Sequence, residues 1–212
     1  MITVVPPHLR NYYGAELAEM HRLRHRVFVE RLGWNVRSFG GLEVDAFDML
    51  EATYLLAGDD PIVGSWRILP TTGPYMLKDV FAELLEGQPA PCDPAVWEMS
   101  RFAVDHGPQE DKGLSALSAS TGEMFCGLVE YALEQGVREL WTVYDIRIAR
   151  LLDRVGCRPF WRSARRRIGE TIAVAGRFEI SGRVLAELRA TNAVAGSVLN
   201  PLAEPQEQRV AA

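Results

Sequence analysis

Apolar residues recur at three- and four-residue spacing over 15–32, where Leu17, Met20, Val27 and Phe28 form a stripe behind Glu16 and Glu19; this spacing predicts a helix. Arg24 breaks the stripe. It lies four residues after Met20 and four before Phe28, on the apolar side, while Arg22, Arg26 and Arg31 can point to water. Either Arg24 snorkels at the core edge, or it stands half-buried facing a carboxylate-bearing ligand. No period follows until Glu43, and Gly40-Gly41 marks a turn, so 33–50 reads as an ordered loop. It carries Trp34, Phe39 and Phe47 with the carboxylates of Glu43, Asp45 and Asp48. Rings with carboxylates suit an organic cation, and a solvated acidic turn is the plain alternative.

Thr53–Ala57 and 62–69 flank Gly58-Asp59-Asp60-Pro61, a hairpin signal. Alternation in the second strand groups Val63, Ser65, Arg67 and Leu69 on one face and Ile62, Gly64, Trp66 and Ile68 on the other, so Arg67 shares a face with apolar neighbours. A short helix over 76–85 would display Leu77, Phe81 and Leu84, and 115–134 is the longest helix candidate, stopped by Gly136. Strands are predicted over 137–143 and 171–180, separated by an amphipathic helix at 146–155 that turns Ile148, Leu151 and Val155 inward. Such alternation is α/β. Residues 1–192 read as one domain, and 193–212, rich in Ala, Pro, Glu and Gln without a period, as a flexible tail.

Within Val96–Val104 an otherwise apolar, strand-like run contains Glu98 and Arg101. An ion pair at a strand edge is one explanation, and a functional pair the other.

Composition narrows the class without choosing within it. At 212 residues, 48% hydrophobic and 24% charged, the chain can bury one sizeable core. It has neither a run long enough for a membrane span nor a basic-then-apolar leader, so a cytoplasmic protein is expected. The three cysteines, Cys92, Cys126 and Cys157, are far apart with no histidine at ligand spacing, so reduced thiols and no metal are expected. A net charge of −5 argues against nucleic acid, yet Arg147, Arg150, Arg154, Arg158, Arg162, Arg165, Arg166 and Arg167 stand against Asp153 alone and predict one basic surface.

The run Arg24-His25-Arg26-Val27-Phe28, then Gly33-Trp34, then Glu43-x-Asp45-x-x-Asp48, then Trp66-Arg67-Ile68-Leu69-Pro70-Thr71, then Trp97-Glu98-x-Ser100-Arg101-Phe102 resembles the acyl-homoserine lactone synthases of bacterial quorum sensing (LuxI type). Order, identity and spacing match over roughly 20–105. The resemblance implies an N-acetyltransferase-like, three-layer α-β-α sandwich with a mixed twisted sheet and a cleft between two central strands. It implies an acyltransferase making an autoinducer from S-adenosylmethionine, a substrate rather than a cofactor, and an acyl thioester of CoA or of acyl-carrier protein. The amine would be acylated; the carboxylate would then displace the sulfur, closing the lactone and releasing methylthioadenosine. Glu98 would be the base, with Ser100 and Arg101 completing the catalytic group. Arg24, Phe28, Trp34, Asp45, Asp48, Arg67, Phe81, Arg101 and Phe102 would shape the adenosylmethionine site. The acyl pocket is expected from Met124, Leu128, Trp141, Val143, Tyr144 and Ile146, plain core being the alternative for these.

An ordinary acetyl-CoA-dependent N-acetyltransferase would share the fold, but its phosphate loop is incomplete at Gln109-Glu110-Asp111-Lys112-Gly113-Leu114-Ser115. A non-catalytic binding relative is the other alternative, disfavoured by intact Glu98 and Arg101. One geometric problem remains: strict alternation puts Glu98, Ser100 and Phe102 on one face and Arg101 on the other, so a bulge or splay is predicted near 99–101.

Overall fold

The computed structural model describes residues 1–105 and 119–200. The sheet is built from β1 (Ile2–Val5), β4 (Thr53–Ala57), β5 (Gly64–Pro70), β6 (Val96–Val104), β7 (Glu139–Asp145), β8 (Trp161–Arg162), β9 (Arg166–Ile168) and β10 (Thr171–Glu179). Its order is β1-β4-β5-β6-β7-β10-β8, with β9 added beside β10. Neighbours pair antiparallel except β6 and β7, which are parallel. A parallel pair needs a crossover, and α3 (Ala119–Glu134) lies within that connection.

Both faces of the sheet are covered, which is why its strands read as nearly continuous apolar runs. On one face α3, α4 (Ala149–Val155) and α5 (Gly182–Asn192) close a core containing Trp66, Ile68, Met99, Met124, Phe125, Leu128, Val155 and Leu188. On the other, α1 (Gly14–Arg24) and the short α2 (Met76–Asp79) cover Leu23, Val27, Phe28, Leu56, Leu69, Leu77 and Trp141. This is the N-acetyltransferase-like α-β-α sandwich.

Several expectations shift in detail. The α-helix predicted over 15–32 stops at Arg24 and continues as a π-helix over His25–Arg31. The loop 33–50 is ordered and contains a hairpin of β2 (Ser38–Phe39) and β3 (Leu42–Glu43). Gly40 and Gly41 make its two-residue turn with φ of 57° and 77°, the left-handed pair that a tight hairpin requires. Helix α5 carries no signal that the sequence reading used. The flexible tail expected from 193 does not begin there: Val198 is buried, and Asn200 donates its N–H to the Ile2 carbonyl at 2.8 Å, so the chain runs back along β1. The 109–115 loop and Leu117 lie outside the described residues. Among the described residues no helix is long and apolar enough to cross a membrane.

Candidate active site

The site is organised by one irregularity in β6. Arg67 pairs with Ser100 and Ser65 with Ala103, so Arg101 and Phe102 together face the single residue Trp66. That is a β-bulge. Arg101 takes φ 57°, unusual for a long side chain, and such strain of about 1–3 kcal/mol persists only when contacts hold it. The extra residue reverses the alternation. Glu98, Ser100 and Arg101 all lie on the α1 side, while Phe102 and Val104 turn to the α3 side. The predicted irregularity is present, and it corrects one site assignment: Phe102 packs on Trp66 and Phe125 at ring-centroid distances of 4.6 and 5.7 Å, separated by the sheet from the charged side chains.

The same region opens the sheet. β6–β7 pairing ends at Met99↔Thr142, although β6 runs to Val104 and β7 to Asp145. Beyond that point the facing edges carry backbone groups with no ladder partner, and a slot lies between the two central strands.

Three arginines and three carboxylates fill the α1 side. Arg24 gives Nε to Glu43 Oε2 at 2.5 Å and binds Asp48 with both terminal nitrogens at 2.7 and 2.9 Å. Arg67 reaches Asp45 at 2.5 and 3.1 Å, Asp48 at 2.9 Å, the Ser100 Oγ at 3.1 Å and the Met76 Sδ at 3.0 Å. Arg101 contacts Glu43 at 3.0 Å, Asp45 at 2.7 Å and the Met76 Sδ at 3.5 Å. A guanidinium has five N–H donors. Those of Arg67 are all spent, and Arg24, which also meets Glu43 through Nη2 and Met20 Sδ, has none to spare. Arg101 keeps two, counted over the described residues. It is also the arginine nearest solvent, at 11% side-chain exposure against 1% and 0% for Arg24 and Arg67. The network thus divides into two fully paired arginines and one with donors left over among the described residues.

Local sequence explains how the carboxylates arrive. The Gly40-Gly41 hairpin delivers Glu43, and Asp45 and Asp48 form a capping box on the 3-10 turn Ala46–Met49. Burial alone would raise Asp48, but its hydrogen bond to Arg24 and the charges of Arg24 and Arg67 pull it well below the usual carboxylate range. Burial lowers Arg101 from its ordinary value, and Glu43 and Asp45 only partly restore it.

Glu98 differs from these acids. It is 1% exposed and accepts the N–H groups of Met76 at 2.9 Å and Leu77 at 2.5 Å, at the start of α2. Burial pushes its carboxyl up to about 7 despite these donors. Ser100 accepts from Arg67, leaving its hydroxyl proton to donate. Above the cage, Phe28 and Trp34 stack at 5.2 Å and 5°, the Arg101 guanidinium lies 5.7 Å from the Phe28 ring, and the Trp34 indole N–H has no partner among the described residues. Phe81 packs, half-buried, into the same α1-side cluster.

A buried carboxylate held near neutrality beside a half-open parallel strand pair is an acyl-transfer arrangement, and comparison with known proteins gives it a family. The autoinducer synthase family matches residues 8–187. The chain belongs to the autoinducer synthase family. It is similar to the acyl-homoserine-lactone synthase of Pseudomonas aeruginosa, 40% identical over 171 residues that cover 79% of this chain and 84% of the relative. Among solved structures, the AHL synthase LasI superposes with a TM-score of 0.76 at 35% identity, covering 95% of this chain and 98% of that one. BjaI, a CoA-dependent acyl-homoserine lactone synthase solved with SAM and isopentyl-CoA, superposes with a TM-score of 0.81 at 27% identity, covering 94% and 92%.

Within this autoinducer-synthase frame the structure brings Arg24, Phe28, Trp34, Asp45, Asp48, Arg67, Phe81, Glu98, Ser100 and Arg101 to one side of the sheet. It does not bring the six expected acyl-pocket residues together. Met124, Leu128, Tyr144 and Ile146 belong to the α3-side core, whereas Trp141 and Val143 face the α1 side, because alternation along β7 separates them. Met124 is fully buried with its sulfur against Gly64, where any Cβ would meet it at 2.4 Å. Leu128 alone of the six lines the α3-side cavity of about 620 Å³, whose buried wall holds Met99, Phe125, Val129, Leu140 and Phe178 and whose exposed side carries Asp153, Arg158, Glu179, Arg183 and Glu187. Sequence reasoning gave no role to Met76 or Tyr54, whose hydroxyl donates to Asp48 at 2.8 Å. A neutral thioether and a strand tyrosine carry no charge signal that would single them out.

Proposed function

We propose that this chain is an acyl-homoserine lactone synthase that joins S-adenosylmethionine to an acyl thioester. The observation that carries the reading is the bulge, which sets Glu98, Ser100 and Arg101 on one side of the sheet at the end of the β6–β7 slot. The adenosylmethionine carboxylate meets the two unspent N–H groups of Arg101, and its cationic centre meets Asp45 and the Phe28–Trp34 stack. Glu98 accepts a proton from the substrate ammonium, whose free pKa of about 7.7–8.0 is near enough for an acceptor of about 7. The amine then attacks the thioester carbon. Ser100 and the unpaired β6 amides donate to the oxyanion, and the thiol leaves with a proton. Next the bound carboxylate attacks the carbon next to the sulfonium; the C–S bond breaks, the lactone closes and neutral methylthioadenosine departs. That step needs orientation rather than a base, which a rigid cage supplies.

The acyl chain passes Met99, the last β6 residue paired to β7, into the α3-side cavity. The exposed arginines of 147–167 form the face that meets the donor's anionic part, either CoA phosphates or an acidic carrier protein. Purified protein given adenosylmethionine with matched CoA and carrier-protein thioesters tests the reading. Methylthioadenosine and an acyl-homoserine lactone should appear in equal amounts with one donor class, and release of neither product with any thioester would overturn it.

A further inference from the structure

Met76 holds an unusual place between the two halves of the site. Its backbone N–H donates to Glu98 Oε2 at 2.9 Å, while its Sδ receives Arg67 at 3.0 Å and Arg101 at 3.5 Å. It is 8% exposed. Arg67 and Glu98 lie on the same side of the sheet, one strand and two positions apart, because Arg67 pairs with Ser100 and Leu69 with Glu98. At that diagonal cross-strand separation a long guanidinium side chain can reach a carboxylate. Here no ion pair within 4 Å joins Glu98 to any arginine among the described residues, and the last Arg67 donor ends on sulfur.

Resting on the reading of Glu98 as the base, we infer that Met76 is a positioning residue that insulates Glu98. Its thioether, a soft neutral acceptor, takes the guanidinium N–H groups that would otherwise bind the carboxylate. An arginine paired directly with Glu98 would hold it ionised and poorly basic. With sulfur interposed, the remaining charged and titratable groups facing Glu98 are Arg67 from β5, Asp79 on α2 and Tyr75 just before it, while β7 presents Trp141 opposite. The shift of Glu98 to about 7 agrees with that insulation, since Arg67 ranks behind burial and the two amide donors among its causes.

The test is the titration of Glu98 itself, read by carbon NMR of its labelled carboxyl, beside the acidic limb of the kcat profile. Met76→Leu keeps the volume but removes the sulfur acceptor, leaving the Arg67 and Arg101 N–H groups free to turn to the carboxylate; being of parental size, it serves if the alanine variant fails to fold. Met76→Ala lets an arginine or water reach the carboxylate, while Met76→Gln returns a neutral acceptor oxygen for the guanidinium N–H groups and should leave both readouts near the parental value. The Leu and Ala variants should lower the Glu98 titration by about one to three units. A purely structural Met76 would change the melting temperature alone, so parental titration in both the Leu and Ala variants overturns the inference. If the carboxyl titration falls while the kcat limb stays, Glu98 is not the base and the insulation stands.

Discussion

The two faces of β6 solve opposite problems with the same strand. On the α1 side Arg24, Arg67, Glu43 and Asp48 are almost without solvent, and the two arginines spend their donors on these acids, Asp45, Ser100 and the sulfurs of Met20 and Met76. On the α3 side Trp66, Phe102, Phe125 and Met99 pack as rings and a thioether beside a cavity of about 620 Å³. A cage of charges has few alternative arrangements, because any shift leaves a buried ion unpaired. Apolar walls tolerate changes of shape at modest cost. On the proposed function, fixed chemistry would therefore sit on the first face and adjustable substrate choice on the second.

Breaking the cage should give the largest effect. Arg67→Ala leaves Asp45 and Asp48 without their partner and should destabilise the fold by about 3–5 kcal/mol, read by denaturant unfolding. A loss below about 1 kcal/mol would mean that Asp45 and Asp48 do not depend on Arg67, against the account of the cage. Next in size is the linkage of Glu98. Its folded pKa of about 7 lies above its ordinary 4.5, so the folded state holds an extra proton between those values. Stability from this group is present below pH 4.5 and declines as pH rises to 7, by about 3 kcal/mol in all. Glu98→Gln should remove that decline, and identical pH–stability curves for parent and variant would contradict it. Asp48 acts in the other direction: its depressed pKa contributes stability above the ordinary carboxylate range that is lost as acid protonates it.

Arg101→Lys should leave the fold intact and weaken adenosylmethionine binding by about tenfold, because an ammonium cannot reproduce two parallel donors. Calorimetric titration measures this, and unchanged affinity would remove Arg101 as the carboxylate's partner. The smallest effect belongs to the apolar face. Leu128→Trp should shift preference toward shorter acyl chains by about tenfold in kcat/KM, with stability changed by about 1–3 kcal/mol. A shift as large from a substitution at Trp141 would place the chain on the wrong side of the sheet.

Much of this was legible because the informative residues were out of character. Arg24 in an apolar stripe, Arg67 among alternating apolar positions and Glu98 with Arg101 in one strand each violated a local pattern, and each belongs to the site. The same period-2 counting also exposed the need for a bulge. What stayed hidden was of another kind. The division of Arg24 and Arg67 from Arg101 depends on counting hydrogen bonds, which spacing does not reveal. Phe102 was misplaced because a single extra residue reverses every later side chain. The acyl-pocket set divides between the two faces for a related reason, since residues of α3 and successive residues of β7 were grouped without their faces. The ordered return of Val198 to β1 had no periodic signal, being held by backbone bonds and one buried side chain.

The central claim is that the charged face performs the chemistry through Glu98. Adenosylmethionine affinity and acyl-dependent methylthioadenosine release, measured on parent and Glu98→Gln, test it most directly. Turnover should fall by about 10²–10⁴-fold while affinity changes by no more than a few-fold. Equal turnover in the two proteins would contradict it.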